Sequence, residues 1–239
     1  MLVGCSAPNN HQSDEPIVLM IAGQSNGLSY IDRKLMNDSS VLRYSTSGKV
    51  ILNKPLDHRD GFFIPTKENP TDYSIAWLYC AEAIVRSTGR KVVIVNMARD
   101  SSSTTYWASE YLEDFLKAIA YFKPKVILWH QGEADDKYGI PQEVSEKNMR
   151  KVINATKIVS PDLTWVIAIN SMHKPFFNAP IRQAQHQIIS ERLALKGPDT
   201  DQLRLDLHNM DDENLHFIGI GAKKHGLMWY EVLKKYHLI

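Results

Sequence analysis

Two stretches far apart in the chain carry groups that together could make a nucleophile. The first is Gly23-Gln24-Ser25-Asn26-Gly27, a serine between two glycines directly after the apolar run Ile17–Ala22. The second is Asp211-Asp212-Glu213-Asn214-Leu215-His216, a histidine behind a group of carboxylates. A serine hydroxyl becomes a good nucleophile when an imidazole takes its proton and a carboxylate fixes the imidazole tautomer. Glu213 stands three residues before His216. That spacing lets a carboxylate on the same loop reach Nδ1, with Asp212 as the alternative acid. Two more apolar runs end in polar groups: Trp129-His130-Gln131-Gly132-Glu133 and Ala98-Arg99-Asp100-Ser101-Ser102-Ser103. Strands buried on both faces have little reason to end this way unless their ends line a site. Singly, each feature has a plainer reading, as a turn serine, a capping histidine or acids complementing a helix dipole. Together they favour a site built around a serine nucleophile.

The elements that must hold these groups follow from periodicity. Apolar runs at Ile17–Ala22, Lys91–Ala98, Lys125–His130 and Leu163–Asn170 are buried strands, and Leu203–Leu207 is a short last one. Helical spacing marks Tyr73–Thr88, Tyr111–Phe122, Gln142–Val159, Pro180–Leu195 and Ile220–Leu233. Between the first strand and first helix, Leu28–Asp72 is irregular, with Val41–Tyr44 and Lys49–Leu52 as short strands. Strand alternating with helix makes an α/β fold, a parallel sheet covered on both faces.

Composition sets bounds. The 239 residues suit one such domain over residues 16–239, and 44% apolar content is ordinary for a globular chain. A formal net charge of +1 gives no reason to expect a nucleic-acid partner. No apolar run is long enough to form a transmembrane segment. Cys5 and Cys80 make neither a disulfide framework nor a metal cluster, and Cys80 reads as a small core residue. No His, Cys and Asp grouping has metal-ligand spacing, so no metal or other cofactor is expected. His130 ends a strand and is expected to pack beside the site, while His173 is placed to reach it.

The blocks Gly23-Gln24-Ser25-Asn26 and His130-Gln131-Gly132-Glu133, followed by a carboxylate-x-x-histidine, resemble the SGNH (GDSL-like) hydrolase superfamily. Within it, the likeness is to the sialic-acid O-acetylesterase and acetylxylan-esterase-like carbohydrate esterases, and it spans nearly the whole domain. The resemblance implies a flavodoxin-like three-layer α/β/α sandwich. It implies Ser25 as nucleophile, His216 as general base, and an oxyanion site of the Ser25 and Ser101 backbone N–H groups and the Gln131 amide. Gln24 and Glu133 would organise the loops. The implied substrate is a small acyl ester, acetyl above all, on a carbohydrate or other small molecule. Tyr30, Tyr106 and Trp107 are candidates for stacking a sugar ring. One departure stands out. The superfamily's second block carries two glycines where this chain, in the register set by Trp107, has Asp100 and Ser101.

Residues 1–15 read as a tail. Leu2-Val3-Gly4-Cys5 resembles the lipobox of bacterial lipoproteins, which implies a lipid anchor at Cys5 and an exported, periplasmic or cell-surface location; without export the location would be cytoplasmic. Two other functions stay open. A lipase or thioesterase of the same superfamily would need a long apolar groove. A catalytically weak or inactive carbohydrate-binding descendant would explain the lost glycines.

Overall fold

The run Ile17–Gly23 forms β1, the strand around which the sheet is built, and α1 (Ser25–Leu28) starts one residue after it. The computed structural model describes residues 16–28, 42–44, 50–52, 75–90, 92–172 and 176–239. Tail residues 1–15 with Cys5, Tyr30, His173 and most of Leu28–Asp72 lie outside the described residues. The two short strands of that stretch are present as an antiparallel pair, β2 (Leu42–Tyr44) and β3 (Val50–Leu52).

From there the chain alternates. It forms α2 (Ile75–Thr88), β4 (Val92–Asn96), α3 (Thr104–Ala108), α4 (Leu112–Phe122), β5 (Val126–His130) and α5 (Glu133–Lys137). It continues with α6 (Gln142–Val159), β6 (Thr164–Ile169), α7 (Ala179–Ser190), β7 (Leu195–Asp199) and α8 (Gly219–Lys235). The main sheet is parallel throughout, in the order β4-β1-β5-β6-β7. Numbered within the sheet this is 2-1-3-4-5, the flavodoxin-like order, and its switch point lies at β1.

Residues on β1 alternate between two cores, as a period of two requires. Met20 and Ala22 face one that includes Trp107, Phe115, Trp129 and Trp165. Ile17, Leu19 and Ile21 face the other, which includes Trp77 and Trp229 from α2 and α8. Cys80 is buried in this second core. Among the described residues, no helix is long and apolar enough to cross a membrane.

The region after α6 departs from the sequence reading. The helix expected to reach Leu195 stops at Ser190, and Arg192 takes a left-handed backbone with φ of 59°. The last strand is Leu195–Asp199, and the expected strand at Leu203–Leu207 is a pair of 3-10 turns instead. Gly197 and Pro198 hide β7 from propensity, yet proline is tolerated because β7 is an edge strand. The alternating leucines that imitate a strand point outward: Leu205 and Leu207 are 63% and 65% exposed.

Helix α8 packs on α2 closely enough that a Cβ on Gly226 would stand 1.9 Å from the Ala76 carbonyl oxygen. Gly226→Ala must therefore push two helices apart. It is expected to cost about 1–3 kcal/mol, read as a lower urea midpoint at unchanged m-value.

Candidate active site

The carboxyl ends of β1 and β5 meet at the switch point. Gly23, with φ of 119°, lies so near the next strand that a Cβ there would stand 1.9 Å from the His130 carbonyl oxygen. The Gln24 N–H donates to that same oxygen at 2.9 Å. The Gln24 side-chain oxygen accepts from the Ala134 N–H at 2.7 Å, which ties the first loop to α5. Ser25 then opens α1, and its N–H is among those a helix leaves without an intrahelical acceptor.

His216 reaches the same place on a hairpin. Met210 and Phe217 pair across its base, and the Asp211 N–H donates to the His216 carbonyl at 2.9 Å. Asn214 turns the tip with φ of 56°. The carboxylate that meets His216 is Asp211, whose Oδ2 lies 2.8 Å from Nδ1. Its Oδ1 accepts the Leu215 N–H at 2.8 Å. This corrects the expectation of Glu213 or Asp212, both of which are exposed on the outward turn. The hairpin brings residues five apart together and turns those between them outward. Burial pushes the Asp211 pKa up, but hydrogen bonds from the Leu215 and His216 N–H groups and from the ring outweigh it and hold the carboxylate below its usual range. With an ionised acceptor at Nδ1, the neutral ring carries its proton there and its lone pair on Nε2.

Two buried side chains fix this hairpin to the loop that carries Ser25. Asn26 donates from Nδ2 to the Leu215 carbonyl at 3.0 Å and accepts the Phe217 N–H at 3.2 Å. Arg204 donates to the carbonyls of Leu215 and Asn214 at 3.2 and 2.5 Å. Glu133 joins both. Its carboxylate accepts from Asn26 at 3.0 Å and Asn170 at 2.5 Å, and lies 4.0 Å from the Arg204 guanidinium. Gln24 and Glu133 thus bind loops together.

Behind them His130 is fully buried, with Nε2 2.9 Å from the Thr200 hydroxyl and Nδ1 without a hydrogen-bond partner. Burial, and then the charge on Arg204, hold its pKa down at about 3. Its ring meets that of His225 at a centroid distance of 4.9 Å. The buried His225 ring is also held neutral, mainly by desolvation, and accepts the Trp229 indole N–H at 3.0 Å.

The second block supplies Ser101. It adopts φ of 53°, so the position where the superfamily has glycine is left-handed here and a serine carries the strain, roughly 1–2 kcal/mol. Ser102 pins this loop: its hydroxyl donates toward the Gly23 carbonyl at 3.1 Å and accepts the Trp107 indole N–H at 2.8 Å. Gln131 is placed differently from expectation. Its amide nitrogen donates to Asp135 at 2.7 Å and reaches the Ser102 carbonyl at 3.5 Å, and it does not line the cavity. Asp135 is fully buried, and burial raises its pKa; the amide answers that carboxylate rather than facing the cavity.

Ser25, Ser101 and His216 line one cavity of about 130 Å³, with Arg204, Met172 and Leu215 among its other walls. Lys137 and Asp100 stand at its edge. Of the expected stacking aromatics, Trp107 is fully buried in the core and Tyr106 stacks on Tyr111 at 5.7 Å. Among the described residues, no group of three or more His, Cys, Asp or Glu could hold a metal ion.

A sequence profile of the carbohydrate esterases described as sialic acid-specific acetylesterases matches residues 16–234. A search of curated proteins gave no match. Among solved structures, a protein of Arabidopsis thaliana is similar at 19% identity and a TM-score of 0.64, over 92% of this chain and 99% of that one. A psychrotrophic esterase, EstA, from Pseudoalteromonas sp. has 11% identity and a TM-score of 0.61, over 93% and 99%. A family 3 carbohydrate esterase of Clostridium thermocellum has 12% identity and a TM-score of 0.56, over 93% and 97%. These similarities show a shared fold, that of the SGNH hydrolases.

Two measurements test the site's framework. Above pH 6.5, the ordinary histidine value, His130 and His225 are neutral whether the chain is folded or not. Below it, the unfolded chain takes up protons that the folded rings refuse, so stability falls with pH. His130, held at about 3, should remove about 2 kcal/mol between pH 6.5 and 4.5, and His225 acts in the same direction. In urea titrations across this range, His225→Phe should lower stability at pH 7, where the Trp229 indole loses its acceptor, and make the fall with acidification shallower. Separately, Ser101→Gly should keep or raise stability, by up to about 1 kcal/mol, whereas Ser101→Val should lower it.

Proposed function

The chain belongs to the carbohydrate esterase family of sialic acid-specific acetylesterases, and from that premise we propose that it is a serine esterase acting on acetyl esters of carbohydrates through an acyl-enzyme. It is a carboxylic ester hydrolase. The observation that carries the finer reading is the His216 ring, held by Asp211 at 2.8 Å on the wall of the cavity that Ser25 also lines.

In this mechanism His216 Nε2 takes the Ser25 proton as Oγ attacks the ester carbonyl carbon. Asp211 keeps the ring in the required tautomer and stabilises the imidazolium that forms. The carbonyl oxygen becomes an oxyanion that accepts from the Ser25 and Ser101 N–H groups. His216 returns its proton to the leaving alcohol. A water, deprotonated by His216, then attacks the acyl-serine carbonyl, and the carboxylic acid leaves as Ser25 regains its proton. A cavity of about 130 Å³ accommodates a short acyl group and no long chain, which favours acetyl over the lipase or thioesterase alternative. Arg204, Asn26 and Glu133 keep the two loops in register.

Ser25→Ala should abolish labelling by a fluorophosphonate and lower turnover of acetyl esters by at least about 10³-fold. Asp211→Asn should lower kcat by about 10²–10⁴-fold, while Glu213→Gln and Asp212→Asn stay within about twofold of the parent. Equal losses in all three acid variants would overturn the assignment of Asp211, and labelling that survives in Ser25→Ala would overturn the nucleophile.

A further inference from the structure

A cavity that takes the acyl group is too small for the rest of a sugar ester. Sites that enclose a whole ligand of that kind run to about 300 Å³ or more, against about 130 Å³ here. The alcohol half of the substrate must therefore lie across the mouth, and the surface there is unusual. Of the four large aromatic side chains exposed among the described residues, three are close in the chain to the cavity-lining residues Lys137 and Met172: Tyr138 at 52%, Phe176 at 78% and Phe177 at 45% exposed.

Their placement is fixed by the residues beside them. Lys137 lines the cavity, and Tyr138 follows it at the end of α5. Met172 also lines the cavity, with its N–H held by Asp201 at 3.2 Å. Asn178 donates from its side chain to Asp136 on α5 at 2.5 Å and from its N–H to the Ser171 hydroxyl at 3.0 Å. Those bonds hold the residue directly after Phe176 and Phe177 to the helix that carries Lys137 and to the neighbour of Met172, and the Lys137 ammonium itself lies 5.7 Å from the Tyr138 ring centroid. Phe177 is also held from one side: the Arg182 guanidinium lies 5.0 Å from its ring centroid and is itself anchored to Asp199 and Asp201 at 2.6 and 2.8 Å. An exposed ring so braced loses little freedom on binding, which is the condition for a useful contact. Exposed aromatics close to a cavity mark a binding surface rather than a packing defect.

We propose that Tyr138, Phe176 and Phe177 form an aromatic platform at the cavity mouth on which the pyranose ring bearing the acetyl group lies, its C–H face against the rings. The inference rests on the esterase reading of the adjoining cavity. A pyranose suits the surface because it pairs an apolar C–H face with a belt of hydroxyls. The platform supplies the apolar partner, and Asp100 and Lys137 at the cavity edge supply hydrogen-bonding ones. A long acyl chain would use the rings but leave both charges unanswered.

The test compares two acetyl esters by pH-stat: glucose pentaacetate, which has a pyranose ring, and ethyl acetate, which has no ring. The variants are Phe176→Ala, Phe177→Ala and Tyr138→Ala, with Phe177→Tyr as the conservative control. The expected result is a loss of about tenfold in kcat/KM on glucose pentaacetate, carried by KM, with ethyl acetate within about twofold of the parent and Phe177→Tyr close to the parent on both. No selective loss on the sugar ester, in any of the three alanine variants, overturns the platform. A second measurement does not need turnover: saturation-transfer NMR with methyl β-D-glucopyranoside. Transfer to its ring protons should weaken in Phe176→Ala and Phe177→Ala, and unchanged transfer again overturns the proposal. If the parent protein hydrolyses neither ester, the esterase reading fails, and the NMR result alone decides the platform.

Discussion

The buried Glu133 carboxylate is the joint on which the site turns. Removing a carboxylate from water costs several kcal/mol unless its oxygens are answered, and here they are answered by parts of the site that sequence keeps far apart. Asn26 comes from the loop that carries Ser25, Asn170 from the end of β6, and Arg204 from the 3-10 turn after β7. Each partner has a second engagement. Asn26 and Arg204 both hold the Leu215 carbonyl, on the hairpin that carries His216. Removing any one partner would leave a buried polar group unpaired, so the cost of burial itself keeps the constellation together.

The same economy explains the neighbouring polar residues. Asp135 is buried without a cation and draws on Thr104 and Gln131 instead, which joins the second and third strand-end loops. Asp201 is buried at the end of β7 and collects the Ser171 and Met172 N–H groups together with Arg182. Three acidic residues thus do structural work at three points around one rim. The rim can be rigid without being apolar, and the reacting groups can sit on loops yet be placed as if on strands. His130 and His225 complete the floor as neutral, buried rings. With its pKa near 3, His130 stays neutral well into the acidic range.

The strained Ser101 shows where the site departs from local preference. A left-handed serine is rare away from turns that need it, and here it stands on the cavity wall between two residues with ordinary roles, Asp100 at the edge and Ser102 in the interior. The hydroxyl of Ser102 fixes the loop from below by reaching the Gly23 carbonyl and taking the Trp107 indole N–H. With that anchor and Arg99 stacked over Tyr111 at 4.5 Å, the backbone at residue 101 is determined by its flanks rather than by its own side chain.

How much of this was legible depends on the range of the forces involved. The parallel sheet was legible because buried strands must be continuous apolar runs, and β1, β5 and β6 are. The end of α7 and the position of β7 were not, because Gly197 and Pro198 are tolerated only by virtue of an edge position and the Leu203–Leu207 alternation faces water. Ser25 and His216 could be singled out as candidates from their blocks, since the chemistry proposed for them constrains residue type and spacing. The partner of His216 could not. Three carboxylates precede it, and only the hairpin closed by Met210 and Phe217 brings Asp211 to Nδ1 and turns Glu213 outward. Gln131 likewise has an amide suited to an oxyanion, but its direction was decided by a buried carboxylate four residues on. Sequence by itself determined the order of the main elements and the candidates for the reacting groups, because burial and bond-making chemistry act on each residue locally. Tertiary structure alone decided which groups pair, because a hydrogen bond is made or lost within an ångström, a distance that no spacing along the chain specifies.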